Sequence, residues 1–351
     1  MAVSQAWITL NRICNLRCQW CYARGTGFSS SDKMPPELVY QILLFLSQIG
    51  VRDVYFTGGE ATLQTDLEKY ISYADKLGLR CGLITNGIEL SRRALVEVLE
   101  NAGLDSVNLS IKGWSRESFI RNTGVDGFEK SLDALTNLSN SRLNFLTSFV
   151  LSCQNIEFLQ TVTERALECG AGLLYFSFEH DFSPLDGIRA QEHSKNLAGM
   201  FEMIRKFEAG YETLNRLTNG NFILHQSLPL CAWDRNFIHL MVKRNQISLN
   251  CQMRERSGLV FSTDGSLILC NLLYQVVLGR FGETFRDKHS FESFWNSEEV
   301  CSIYATLSAL PSARCDACEF RYQCGGGCLA NWLHYDYDEF SRQLDRQNQH
   351  S

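Results

Sequence analysis

With 351 residues, 45% hydrophobic and 21% charged, the chain has the composition of one large or two medium globular domains. A net charge of −6 gives no electrostatic reason to expect nucleic-acid binding. There is no apolar run of roughly 18 residues to span a membrane. The opening MAVSQAWITLNRIC lacks the basic and apolar regions of a secretory signal, so the expected location is the cytoplasm. In that compartment fourteen cysteines point to metal or cluster ligation rather than disulfides.

Short apolar runs alternate with amphipathic stretches along the first half. The strands predicted in chain order are ITLNRI (8–13), DVYFTG (53–58), RCGLIT (80–85), SVNLSI (106–111), NFLTSFVL (144–151) and GLLYFSF (172–178). Helix-like segments lie between them, the first opening on Pro35-Pro36, and several end in Gly. Six βα units imply a parallel sheet covered by helices. They are too few for an eight-fold barrel, so the expected α/β fold is a partial, splayed barrel or an open sheet. Loops at the strand C-termini are then the place for chemistry. Beyond residue 185 the pattern changes. Helical stretches over 189–207 and 208–218 precede short strands in GLVFSTDGSLILC (258–270) and a cysteine concentration at 315–328. The expected division is 1–230, then a smaller cysteine-rich unit over 231–340, then a frayed polar tail over 341–351.

The first predicted strand runs directly into CNLRCQWCYA, which places Cys14, Cys18 and Cys21 on a βα loop. Soft thiolates at this spacing suit an iron–sulfur cluster. A structural zinc site would want a fourth ligand nearby, and the next cysteine is Cys81 and the first histidine His180. Cys-x3-Cys-x2-Cys after the first of six βα units resembles the signature of the radical S-adenosylmethionine (SAM) superfamily. That resemblance implies a partial (β/α)6 barrel in which Cys14, Cys18 and Cys21 hold a 4Fe-4S cluster, the remaining iron being left for the amino and carboxylate groups of SAM. It also nominates cofactor contacts: Tyr22 beside the triplet, Gly58-Gly59-Glu60 after the second strand, Asn86 in TNG, Ser110 ending the fourth strand, and Arg121 for the SAM carboxylate. Two glycines let backbone approach a ligand, and Glu60 offers an acceptor for an ammonium. Each short motif alone reads as an ordinary turn. Lys112 stands where relatives often carry Asp, which weakens the ribose contact set around Ser110.

The second concentration comprises Cys251, Cys270, Cys315, Cys318, Cys324 and Cys328, closed by CGGGC. A zinc ribbon would account for four of these thiols. The spacing resembles the SPASM extension of radical SAM enzymes, which holds two auxiliary iron–sulfur clusters. By that resemblance Cys251, Cys270 and Cys328 serve the first, and Cys315, Cys318 and Cys324 the second. LGRF (278–281) and FESFWNSEEV (291–300) resemble its linker. No cysteine follows Cys328, so the extension's last ligand is missing. Candidates for it are His334, Asp336, another carboxylate or Cys301, or the site is open. Cys81, Cys153 and Cys169 read as small buried hydrophobes. Cys231 and Cys301 are candidates for returning a hydrogen atom, as cysteines do in some epimerases of the family.

The resemblance implies an oxidoreductase that modifies a ribosomally made peptide (RiPP maturation), with a flavodoxin- or ferredoxin-like electron donor. Only thirteen residues precede Cys14, so a leader peptide is expected to need a separate binding protein or direct docking. Asn271 replaces the Asp usual in sulfatase-maturing members, which disfavours that reaction. A small-molecule dehydrogenase or epimerase, for example of an aminosugar, is the second reading. A non-catalytic iron–sulfur or zinc scaffold is the third. No catalytic base is singled out; Glu179, His180 and Asp181 are candidates by position only.

Overall fold

The computed structural model describes residues 3–23, 28–179, 197–225, 227–249, 251–307, 309, 311–334 and 336–348. One 11-stranded sheet organises them. Its strands are β1 (Gln5–Thr9), β2 (Asp53–Thr57), β3 (Arg80–Thr85), β4 (Leu104–Ile111), β5 (Asn144–Leu151), β6 (Leu174–Phe178), β7 (Phe222–His225), β8 (Ile247–Ser248), β9 (Gly258–Phe261), β10 (Ser266–Ile268) and β11 (Val277–Arg280). The order is β11-β10-β9-β1-β2-β3-β4-β5-β6-β7-β8. From β1 to β8 every pairing is parallel, as the βα alternation requires. The sheet is open in its order, not a closed barrel.

The differences from expectation have local causes. The first strand is Gln5–Thr9, not 8–13, because the chain leaves the sheet after Leu10, whose N–H still reaches Thr57 O at 2.8 Å. The helical pair near residue 208 is one helix, Leu197–Leu217, and residues 180–196 lie outside the described residues. Gly210 does not break it, since Phe207, Tyr211 and Leu214 on the same face are all buried. Strands β7 and β8 were too short to show as periodic runs. Helix Arg235–Lys243, which follows β7, is capped by Asp234, whose Oδ1 accepts the Phe237 N–H at 2.9 Å.

Strand β9 pairs in parallel with β1, in register from Gln5↔Gly258 to Ile8↔Phe261. The strands of the cysteine-rich half therefore continue the same sheet. Phenylalanines join the two halves: the Phe45 ring, on helix Pro36–Gln48, lies 5.3 Å from Phe281, 5.5 Å from Phe285 and 5.3 Å from Phe291.

Helix Tyr337–Asn348 takes in residues 341–348 of the stretch expected to fray. Its polar composition conceals two buried anchors: Phe340 is stacked on Phe201 at 5.7 Å, and Leu344 is buried one turn on. Truncation by Phe340→Ala is expected to lower stability by about 3 kcal/mol, read from denaturant midpoints; an unchanged midpoint would mean that the tail is not docked. A second prediction concerns His225, whose Nδ1 is 2.9 Å from the Tyr175 hydroxyl. Burial holds its pKa below the ordinary 6.5, so the unfolded chain binds the extra proton. Its contribution is complete above pH 6.5 and declines as pH falls through the window below it. The denaturant midpoint should fall between about pH 7.5 and about pH 5.5, with a shallower fall in His225→Gln; equal slopes in the two proteins would refute this.

Candidate active site at the strand ends

A cavity of about 620 Å³ opens at the C-terminal ends of β1 to β6. Its floor takes Thr57 from β2, Thr85 from β3, Ser110 from β4, Val150 from β5 and Phe178 from β6. The volume suits a cofactor or drug-sized molecule. Cys14, Cys18 and Cys21 line one side of it, with Trp20 and Tyr22.

The GGE loop serves first to hold the cysteine loop. Gly59 N–H donates to Asn11 O at 2.8 Å, and Glu60 N–H to Ile13 O at 2.7 Å. A Cβ on Gly59 would lie 2.2 Å from Ile13 O, so no larger residue fits this approach. The glycine here admits the protein's own backbone, where the sequence reading assigned it to a ligand. Glu60 is buried and accepts from four donors. Oε1 takes Thr62 N–H at 3.1 Å, the Thr62 hydroxyl at 2.6 Å and the Thr85 hydroxyl at 2.7 Å; Oε2 takes Asn86 N–H at 2.8 Å. Only Oε2 keeps capacity for a ligand ammonium. Asn86 in turn reaches the triplet loop, its Nδ2 donating to Asn15 Oδ1 at 2.8 Å and lying 3.8 Å from Cys14 Sγ.

The other side of the triplet docks on the C-terminal end of helix Arg116–Thr123. Arg17 N–H donates to Thr123 O at 2.8 Å, Gln19 N–H to Asn122 O at 3.0 Å, and Gln19 Nε2 to Arg121 O at 2.9 Å. The last carbonyls of a helix lack intrahelical donors, and the cysteine loop supplies them. Arg121 thus touches the loop through its carbonyl. Its guanidinium is exposed over Trp114 at 5.5 Å and is not among the groups lining the cavity, contrary to the carboxylate-binding role expected of it. The lining cations are Arg12, Arg17 and Lys112. Lys112 Nζ donates to Ser110 Oγ at 2.6 Å, so the residue that departs from the family pattern occupies the hydroxyl expected at the ribose. Arg12 reaches Tyr22 Oη at 3.4 Å and Ser262 Oγ at 3.0 Å. Arg12, Arg17 and Ser177 carry no signal of their own in the sequence: Arg12 and Arg17 flank or fill the spaces of the cysteine motif, and Ser177 stands in an apolar strand. Glu179 lines the cavity, while His180 and Asp181 lie outside the described residues.

Burial pushes the Cys14 thiol up to about 11, and the charges of Glu60, Cys18 and Cys21 add to it; the Leu16 N–H, 3.4 Å from its sulfur, opposes. Burial raises Cys18 too, with Lys112 opposing. Among the described residues no three His, Cys, Asp or Glu side chains close around a single ion. An iron–sulfur cluster asks for wider spacing, because each thiolate takes its own iron. Three soft donors on one loop, an amide directed at one sulfur and cations across the cavity fit such a cluster with room beside it.

The later cysteines form two groups. Burial raises Cys270 to about 12 and Cys328 to about 11, and each feels the charge of Cys251. Cys315, Cys318 and Cys324 line a separate narrow cavity. Of the proposed last ligands, Cys301 Sγ sits 3.5 Å from Arg256 Nη1, and Asp336 Oδ1 accepts the Glu339 N–H at 2.8 Å; the side chain of His334 lies outside the described residues. Cys81 is buried, and Cys153 and Cys169 pack against the core.

Gly59→Ala should force the GGE and cysteine loops apart. Expected are a loss of at least about 2 kcal/mol in stability and a fall in iron bound per chain after anaerobic reconstitution. Wild-type values for both would show that the loops are not clamped in this way.

The profile described as "Radical SAM superfamily" matches residues 8–164. A probable GTP 3',8-cyclase of Thermococcus kodakarensis is 34% identical over 38% of this chain and 43% of its own length. The chain spans about half the length of the first such curated relatives it matches. A PqqA peptide cyclase of Bradyrhizobium diazoefficiens is 24% identical over 90% of this chain and 78% of its own. Among solved structures, native anSMEcpe with bound AdoMet and Kp18Cys peptide superposes with a TM-score of 0.71 at 20% identity, over 97% of this chain and 95% of that one. Its likeness is one of fold. The superfamily match begins in β1 and takes in the cysteine triplet, the GGE and TNG loops and the helix on which the triplet docks; residues 8–164 are thus similar to the radical SAM superfamily, whose cofactors are SAM and a 4Fe-4S cluster.

Proposed function

We propose that the protein is a SPASM-type radical SAM oxidoreductase that modifies a side chain of a ribosomally made peptide. The observation that carries this reading is that Cys14, Cys18 and Cys21 line the large cavity at the strand ends while Cys315, Cys318 and Cys324 line a separate narrow one. Likeness to the PqqA peptide cyclase over 90% of the chain supports a peptide as substrate. Likeness to the GTP 3',8-cyclase covers 38% of the chain, which favours shared radical machinery over a shared substrate. A small-molecule substrate is the second reading, on the strength of those cyclase relatives.

Cys14, Cys18 and Cys21 would hold the catalytic cluster. Bound together, cluster and SAM would supply reductive SAM cleavage and radical hydrogen-atom abstraction from substrate. The chain's own residues bind, orient and exclude water. Lys112 and Arg17 present charged donors suited to a carboxylate. Glu60 Oε2 presents the remaining acceptor for an ammonium. Ile84, Val150 and Phe178 form an apolar wall that keeps water from a reactive carbon. Cys251, Cys270 and Cys328 would hold one auxiliary cluster, and Cys315, Cys318 and Cys324 contribute to another. A leader-binding protein and a flavodoxin- or ferredoxin-like donor are the partners this chemistry asks for.

The test is anaerobic reconstitution followed by reduction with SAM. Three four-iron clusters give about twelve irons per chain, and 5′-deoxyadenosine should accumulate. Cys18→Ala should reduce its formation to background. Absence of 5′-deoxyadenosine from fully loaded wild type would sink the enzymatic reading. Deuterium transferred from a labelled peptide, and not from labelled nucleotides or sugars, would decide the substrate class.

A further inference from the structure

The sequence pattern leaves Cys315, Cys318 and Cys324 one thiolate short, and it looks for the missing ligand downstream of Cys328. The fold supplies a cysteine from upstream. We propose that Cys231 is the fourth thiolate of this site and that its occupant is a 4Fe-4S cluster ligated entirely by cysteine. The proposal rests on the reading of the C-terminal cysteines as iron–sulfur ligands.

Cys231 lies in the 3-10 turn Leu230–Ala232, just after β7, and lines the same narrow cavity as Cys315, Cys318 and Cys324. It does not line the cavity at the strand ends, which removes it as a hydrogen donor there. Its segment is fastened to the cysteine loop by several independent contacts. Cys328 N–H donates to Ser227 O at 2.9 Å, and Asn331 Nδ2 to the same oxygen at 2.6 Å. The N–H of Leu230, the residue before Cys231, points at Cys324 Sγ at 3.3 Å.

The CGGGC run makes the approach possible. Gly325, Gly326 and Gly327 have φ of +52°, +85° and +81°, a left-handed path that side chains rarely adopt. A Cβ on Gly327 would meet Ser227 O and the Leu228 carbonyl carbon at 3.2 Å, so the upstream segment lies directly against the glycine backbone. The turned backbone also directs Gly326 and Gly327 amides at Cys324. Cys231 is an exposed residue in the absence of a bound cluster.

The experiment uses the full chain, reconstituted anaerobically, with iron, sulfide and zinc counted, electron paramagnetic resonance of the reduced protein, and iodoacetamide mapping by mass spectrometry. In the apoprotein Cys231 should be alkylated; after reconstitution it should be protected together with Cys315, Cys318 and Cys324. Cys231→Ala should fall from about twelve to about eight irons and lose one resonance component, while Cys301→Ala keeps about twelve. Twelve irons with Cys231 still alkylated, or twelve irons retained in Cys231→Ala, overturns the assignment and leaves the proposed function standing. One zinc with about eight irons overturns the occupant. Wild type that loads only about four irons overturns the reading of the C-terminal cysteines itself. Protection is measured on wild type, so a misfolded variant does not blunt the test.

Discussion

The Glu60 carboxylate is the point on which the site depends. It is buried, it carries no cationic partner among its hydrogen bonds, and it is held by four donors from two adjacent loops. A buried charge of this kind is costly unless its lone pairs are met, and here the donors come from Thr62, Thr85 and Asn86. The same residue's N–H holds Ile13, so one side chain and its own amide tie β1, β2 and β3 together at their C-terminal ends. The cysteine loop inherits its position from that knot on one side and from the last carbonyls of helix Arg116–Thr123 on the other. A motif that looks like a ligand-contact sequence is therefore largely a scaffold for its neighbour.

The parallel sheet and the place of the triplet were legible because both depend on local patterns: alternation of apolar runs, and a fixed cysteine spacing on a strand-end loop. Strands β7 and β8 were not, being four and two residues long. The tail over 341–351 reads as frayed because Leu344 is outnumbered by polar neighbours, and the helix that carries it is anchored just upstream by Phe340 on Phe201. Arg121 was chosen by its distance along the chain, whereas the cations of the cavity are Arg12, Arg17 and Lys112, brought in by loops. Cys231 escaped for the same reason: its partners lie more than eighty residues away in sequence, and spacing rules look only at near neighbours.

Charge is distributed unevenly around the strand ends. Arg12, Arg17 and Lys112 face a cavity that also presents Glu60 and Glu179, so a zwitterionic ligand finds both signs there. Lys112 is drawn toward Ser110 Oγ, and Arg12 is spent partly on Tyr22, Ser262 and the face of Phe28 at 3.7 Å. Ser262 follows β9, so the cysteine-rich half contributes directly to the setting of the catalytic cavity.

Strand β1 sits in the interior of the sheet, between β2 and β9, although about 250 residues separate it from β9 along the chain. During synthesis its β9-facing edge has no partner until residue 261 has left the ribosome. An unpaired parallel edge next to a loop of reactive thiols is a template for aggregation and for adventitious oxidation. The span between β1 and β9 sets how long that edge waits for its partner during synthesis.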